Sequence, residues 1–178
     1  MSTCTNIFKE FSLSLEKNDG ILLAVRIREI TENDFTAVRK IFVESSSFHE
    51  QVDSIFASIK EADQIWLNYI TTILQQDDFK IYVALHGEQI VGFCVGQIIE
   101  KPPIYQVKKI GQVNNIAVKE GHKRQGVGKA LLETIKAWFM TQQVNHIELL
   151  VATNNPQSLG FWKKMGGREF MKKMVIRF

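Results

Sequence analysis

QVNNIAVKEGHKRQGVGKALLETIKAWF, residues Gln112 to Phe139, holds in one run a strand, a glycine turn and a long helix. Ile110 to Val118 is rich in β-branched residues and reads as a strand. Val127, Leu131, Ile135 and Trp138 recur at helical spacing and predict a helix from Val127 to Met140. Between them lies a polar turn, Lys119 to Gln125, closed by Gly126 and Gly128 at the mouth of the helix. A helix N-terminus offers unpaired N–H groups and the positive end of its dipole. Glycines there lack the Cβ that would fend off phosphate oxygens, and Lys123 and Arg124 add positive charge. No GK[ST] follows and no third glycine completes GxGxxG, so neither common nucleotide motif is present. Two glycines before a helix also serve to make a tight loop, and the turn alone leaves both readings open.

The neighbouring sequence supplies the context. Upstream, Val25, Ile27 and Ile30 alternate with Arg26 and Arg28 and predict a strand over Ala24 to Ile30. Thr31 with Asp34 resembles a capping box before a first helix through Phe35, Val38, Ile41 and Phe42, which Ser45 to Ser47 is expected to break. Val52 to Ile59 and Trp66 to Leu74 then read as two helical pieces interrupted near Ala62. Phe79 to Leu85 and Gln89 to Ile99, separated by His86-Gly87-Glu88, predict a hairpin, and Pro102-Pro103 a loop. Downstream, His146 to Ala152 reads as a strand, Pro156 to Met165 as a short helix and Phe170 to Phe178 as a closing strand. Residues 1–23 form an N-terminal extension with no assigned role, and residues 24–178 one domain, α/β or α+β around a mixed sheet.

Bulk properties narrow the function classes. The 178 residues are 45% hydrophobic and 23% charged, with a mean hydropathy of -0.07, as expected of one ordinary globular domain. Cys4 and Cys94 form no CxxC pair, and the four histidines lack i, i+4 spacing, so neither a disulfide framework nor a metal site is expected. The start carries no long apolar run, which points to a cytoplasmic protein without a membrane segment. The net charge of +3 suits an anionic cofactor. Paired lysines such as Lys108-Lys109 read as solvated faces, which disfavours nucleic acid.

Gln112 to Phe139 resembles the cofactor-binding motif of the GNAT superfamily of N-acetyltransferases, in which [Q/R]-x-x-G-x-[G/A] opens the central helix. IELLVATNNPQSLGFWKKMGGREF, from Ile147 to Phe170, resembles the strand, asparagine turn and short helix that follow in that family. The resemblance covers about Ala24 to Phe178 and implies a mostly antiparallel twisted sheet flanked by helices and splayed between its fourth and fifth strands. It implies acetyl-CoA as co-substrate, with the pantetheine arm along the backbone of Ile116, Ala117 and Val118. Main-chain N–H groups of the turn Lys123, Arg124, Gln125, Gly126, Val127, Gly128 and Lys129 would hold the pyrophosphate. Asn155 and Ser158 would lie along the arm, and Phe161 and Trp162 would border the thioester. The Ile116 amide would bond the oxyanion formed when a neutral primary amine attacks directly. That amine belongs to a small molecule or to a protein N-terminus or lysine, and the family admits a homodimer.

Two departures from the family pattern stand out. Where many members carry a carboxylate on the fourth strand this chain has Asn114 and Asn115, which cannot act as bases. Glu100, His49 and Glu50 are substitute bases, with Glu100 preferred. Trp162 stands where a tyrosine often protonates the leaving thiolate, and a thiol pKa near about 8.5 lets the thiolate leave unaided. These departures keep a second function in view, a non-catalytic acyl-CoA-binding or sensing module.

Overall fold

The computed structural model describes residues 11–16, 22–176 and 178 of the chain. Its strands are β1 (Phe11–Glu16), β2 (Leu22–Glu29), β3 (Phe79–His86), β4 (Gln89–Glu100), β5 (Lys109–Val118) and β6 (Ile147–Glu148), and its helices are α1 (Phe35–Val52), α2 (Ala62–Ile73), α3 (Val127–Thr141) and α4 (Pro156–Lys164). The strands form one sheet in sequential order, antiparallel at every junction except the parallel pair β5 and β6. The β3–β4 hairpin turns where expected, with Gly87 at φ +58°.

Each face of the sheet carries its own core. On one, Leu131, Ile135 and Phe139 of α3 pack on Val25, Ile27, Cys94 and Val113. On the other, Val38 and Ile41 of α1 and Trp66, Ile70 and Ile73 of α2 cover Ile81, Val83, Phe93 and Val95. The helix α3 lies directly on the β4 and β5 backbones. A Cβ at Gly96 would fall 2.6 Å from Ile135, and one at Gly111 would fall 2.7 Å from Phe139, distances no side chain tolerates. Cys94 is fully buried, which pushes its thiol far above the usual range and leaves it a small apolar filler.

The entry to α1 is fixed by Asp34, which is buried yet fully engaged. Its carboxylate accepts two bonds from Arg28 at 2.6 and 2.9 Å, and further bonds from the Thr31 amide at 2.7 Å and the Thr31 hydroxyl at 3.0 Å. Burial pushes the carboxyl up, but the Arg28 and Thr31 bonds together outweigh it and hold it below its ordinary value.

Five features differ from the sequence reading. The chain upstream of Ala24 carries the edge strand β1, paired from Phe11 opposite Ile27 to Glu16 opposite Leu22. Helix α1 runs through Ser45 to Ser47, because serine is only a modest helix former and Ser46 finds the Ser58 hydroxyl at 2.9 Å. The first helical piece predicted beyond it shrinks to one 3-10 turn, Ser54–Phe56, capped by Asp53. At the other end β6 pairs over only two residues, and the described part of Phe170 to Phe178 forms no strand. Adjacent Lys172 and Lys173 break the alternation there, and so short a strand offers little edge to pair with. Among the described residues no helix is long and apolar enough to cross a membrane, and no three His, Cys, Asp or Glu side chains gather as a metal site.

Candidate functional site

The site begins with how β5 is held. Its β4 edge is paired along the whole strand, from Lys109 opposite Glu100 to Val118 opposite Gly92. Its other edge meets β6 only at Gly111 and Gln112, after which the two strands part. The pairing with β4 contains a bulge, since Val95 lies opposite Asn115 while Gly96 lies opposite Val113, leaving Asn114 as the extra residue. Gly111 donates to His146 O at 2.8 Å and therefore faces β6, whereas Lys119 donates to Val91 O at 2.8 Å and faces β4. Backbone groups alternate along a strand, so the Ile116 and Val118 amides point into the opening where β5 and β6 diverge.

Beyond Val118 the chain makes a 3-10 turn, Glu120–His122, and then adopts left-handed backbone twice, at Arg124 (φ +58°) and Gly126 (φ +86°). Gly126 is the N-cap of α3 and supplies no side-chain cap. The first helical bond runs from Ala130 N–H to Gly126 O, so the amides of Val127, Gly128 and Lys129 have no partner within the helix. The turn is braced from outside the cradle: Gln125 Nε2 donates to Gly121 O at 2.8 Å, and Lys123 pairs with Glu120 while lying 5.8 Å over the Phe48 ring. That lysine holds the Glu120 carboxyl below its ordinary value. Half-buried His122 packs edge-on against His86 with centroids 5.5 Å apart.

Helix α4 closes the other side. A Cβ at Gly128 would rest 3.4 Å from Phe161, so the two helices touch where α3 begins. Phe161 and Trp162 meet edge-on at 5.0 Å, and both pack on the α3 core. Asn155 is buried as the N-cap of α4, and its Oδ1 accepts from the Ser158 amide at 3.0 Å. The capping role occupies the oxygen and leaves the amide hydrogens available. The cofactor-side residues named from the sequence thus fall on the open β5 edge, the glycine turn and α4, with the start of α3 against Phe161 of α4.

Glu100, the preferred substitute base, does not join them. Cys94 lies opposite Ile116, and Glu100 is six residues further along β4, about 20 Å away, beside Lys109 at 3.7 Å. Glu50 accepts from the Ser58 amide at 2.9 Å, and the Ser58 side chain first, then this amide, hold its carboxyl below the ordinary value. His49 sits between Phe48 and Phe56. Sequence reading missed a group on the α2 face of the sheet. Asn114 Nδ2 donates to Gln97 Oε1 at 3.3 Å, and Gln97 Nε2 donates to Asp78 Oδ2 at 3.4 Å, with Tyr69 of α2 nearby. Burial raises the Tyr69 phenol pKa, Asn114 opposes that, and Asp78 adds to it. Tyr69 and Asp78 come from a helix and a loop remote from the glycine turn in sequence, and only the bulge aims Asn114 at them.

Known proteins resemble this chain in sequence and in fold. N-acetyltransferase 8B of Mus musculus is 27% identical over 131 residues, covering 65% of this chain and 56% of its own length. The chain spans about half the length of the curated relatives it matches. A tetramutant of the BH1408 protein from Bacillus halodurans superposes with a TM-score of 0.78 at 22% identity, over 85% of this chain and 99% of that one. An aminoglycoside N-acetyltransferase, AAC(6')-Iy, solved in complex with CoA, gives a TM-score of 0.69 at 17% identity over 86% of this chain and 94% of its own. Residues 27–167 match the family described as Acetyltransferase (GNAT) family, and the chain belongs to it.

Proposed function

We propose that the chain transfers the acetyl group of acetyl-CoA directly to a primary amine. One observation carries this reading: β5 and β6 separate after two paired residues, directing the Ile116 and Val118 amides into a cleft that ends at the uncapped start of α3. The cradle fits CoA. The amides of Val127, Gly128 and Lys129 receive the pyrophosphate, Ile116 to Val118 pair with the amide groups of the pantetheine arm, and the Asn155 amide hydrogens meet one of its carbonyl groups. Acetyl-CoA would supply the activated acetyl thioester, and the protein orients it.

The Ile116 amide then stabilises the oxyanion that develops as the amine attacks. Asn114 and Asn115 take no proton, and Glu100 is too distant to do so without water between. The amine therefore loses its proton to water, before and after attack. For an alkylamine of pKa about 10, kcat/KM should climb about tenfold per pH unit below that value. A bell-shaped profile with a limb near neutrality would instead reveal a general base in the protein. The aminoglycoside enzyme among the structural neighbours makes a small polycationic amine the first acceptor to try.

Thermal shift with CoA and free-thiol release over an amine panel form the direct test. Saturating CoA at about 100 times Kd should add about 2.7 kcal/mol of stability. A shift without thiol release from any amine would favour the binding-module reading, which the two asparagines and Trp162 support. Absence of any shift would remove both.

A further inference from the structure

We infer that Asn114 determines acceptor specificity on the α2 face of the transfer site, its amide oxygen turned outward by Asp78 acting through Gln97. This rests on the acetyl-transfer reading above and names how that site orients the amine.

The direction of the hydrogen bonds follows from the chemistry of the groups. A carboxylate at neutral pH only accepts, so Gln97 must present Nε2 to Asp78, as the 3.4 Å contact has it. Its Oε1 is then committed to Asn114, which must answer with Nδ2, at 3.3 Å. Nδ2 therefore faces Gln97 and Oδ1 is turned away from it, and among the described residues nothing donates to Oδ1. Asn114 is also the bulge residue, two positions from Ile116, on the face opposite α3. An acceptor oxygen of fixed orientation beside the oxyanion amide suits a primary amine. It takes one N–H of the nucleophile and so steers the lone pair, without needing to take a proton. Asp78 and Gln97 are positioning residues in this arrangement.

The chain of bonds makes a reciprocal prediction that simple loss of packing does not. In Asn114→Asp two acceptor-only groups compete for one Gln97 amide, so the melting temperature should fall. Adding Asp78→Asn lets position 78 donate to Gln97 Oε1 and Gln97 donate to the new carboxylate, so the double variant should recover most of that loss. Asn114→Ala should raise the amine KM about tenfold, the scale of one hydrogen bond to a charged or polarised group, with the KM for acetyl-CoA within about twofold.

The probes are n-butylamine, spermidine, kanamycin and lysine methyl ester, with the best wild-type substrate carried through the cycle and CoA thermal shift measured on every variant. A double variant no better than Asn114→Asp overturns the proposal, as does an amine KM unmoved in Asn114→Ala. Wild-type protein that binds CoA yet acetylates none of the probes also overturns it, because no acceptor role then exists for Asn114. Failure of CoA to shift the wild-type protein refutes the transfer reading itself and is distinguished by that control.

Discussion

The two edges of β5 differ in what lies beside them. Toward β4 every position from Lys109 to Val118 except the bulge residue has a partner, and α3 presses on the backbone through Ile135 and Phe139. Toward β6 pairing stops at Gln112, and the Ile116 and Val118 amides turn to that unpaired edge. One edge draws its stability from burial and pairing. The other leaves hydrogen-bonding groups unspent, a state tolerable only where water or a ligand can reach them. A single strand thus joins scaffold and binding surface, and substitutions should separate the two properties according to the edge they touch.

Phe139→Ala attacks the scaffold and should have the largest effect. Removing a fully buried ring that lies against Gly96 and Gly111 should cost about 4 kcal/mol, lowering Tm on the order of 10 °C, while CoA affinity measured below the transition stays within about threefold. Gly126→Val should do the reverse. A β-branched residue strains the left-handed backbone by about 1–2 kcal/mol and covers the phosphate cradle, so CoA Kd should weaken by about 100-fold or more in calorimetry while the fold persists. Tight binding by that variant would break the assignment of the turn. Asn155→Ala should lose about 1 kcal/mol of stability with the α4 cap, and a CoA shift reduced beyond that loss would sharpen the assignment of its free amide hydrogens to the pantetheine. Trp162→Tyr should change least, with turnover within about twofold, since thiolate release needs no donor there. Much faster turnover would contradict that view.

Much of this arrangement was legible in the sequence because periodicity and turn chemistry are local. The hairpin about Gly87, α3 from Val127 and α4 from Pro156 fall within a residue or two of their expected bounds. The mixed, mostly antiparallel sheet that separates beside the glycine turn is also as expected. Strand β1 was legible too, since Phe11, Leu13 and Leu15 alternate with Ser12, Ser14 and Glu16, but polar flanks masked so short a signal. The acceptor side was not legible. Which atoms gather around Asn114 depends on a bulge, and bulges follow from how two strands mesh across their partner's side chains rather than from either strand's own pattern. The same holds for Glu100, whose chemistry is suitable but whose place at the far end of β4 is a matter of register.

Register also makes the single inserted residue Asn114 behave as a phase shifter. Before it, odd-numbered residues turn their backbone toward β6, as Gly111 does. After it, even-numbered ones do, beginning with Ile116. Deleting one residue between Gly111 and Ile116 would therefore do more than shorten the strand. With the glycine turn held in place, the shift would restore an unbroken ladder and so bring Gly111 out of step with Phe139, setting the α3 packing against the cleft amides. Removing two residues would keep the parity and only draw the ends closer. Natural length variation in this strand should thus come in even steps, or in odd steps that carry a compensating bulge.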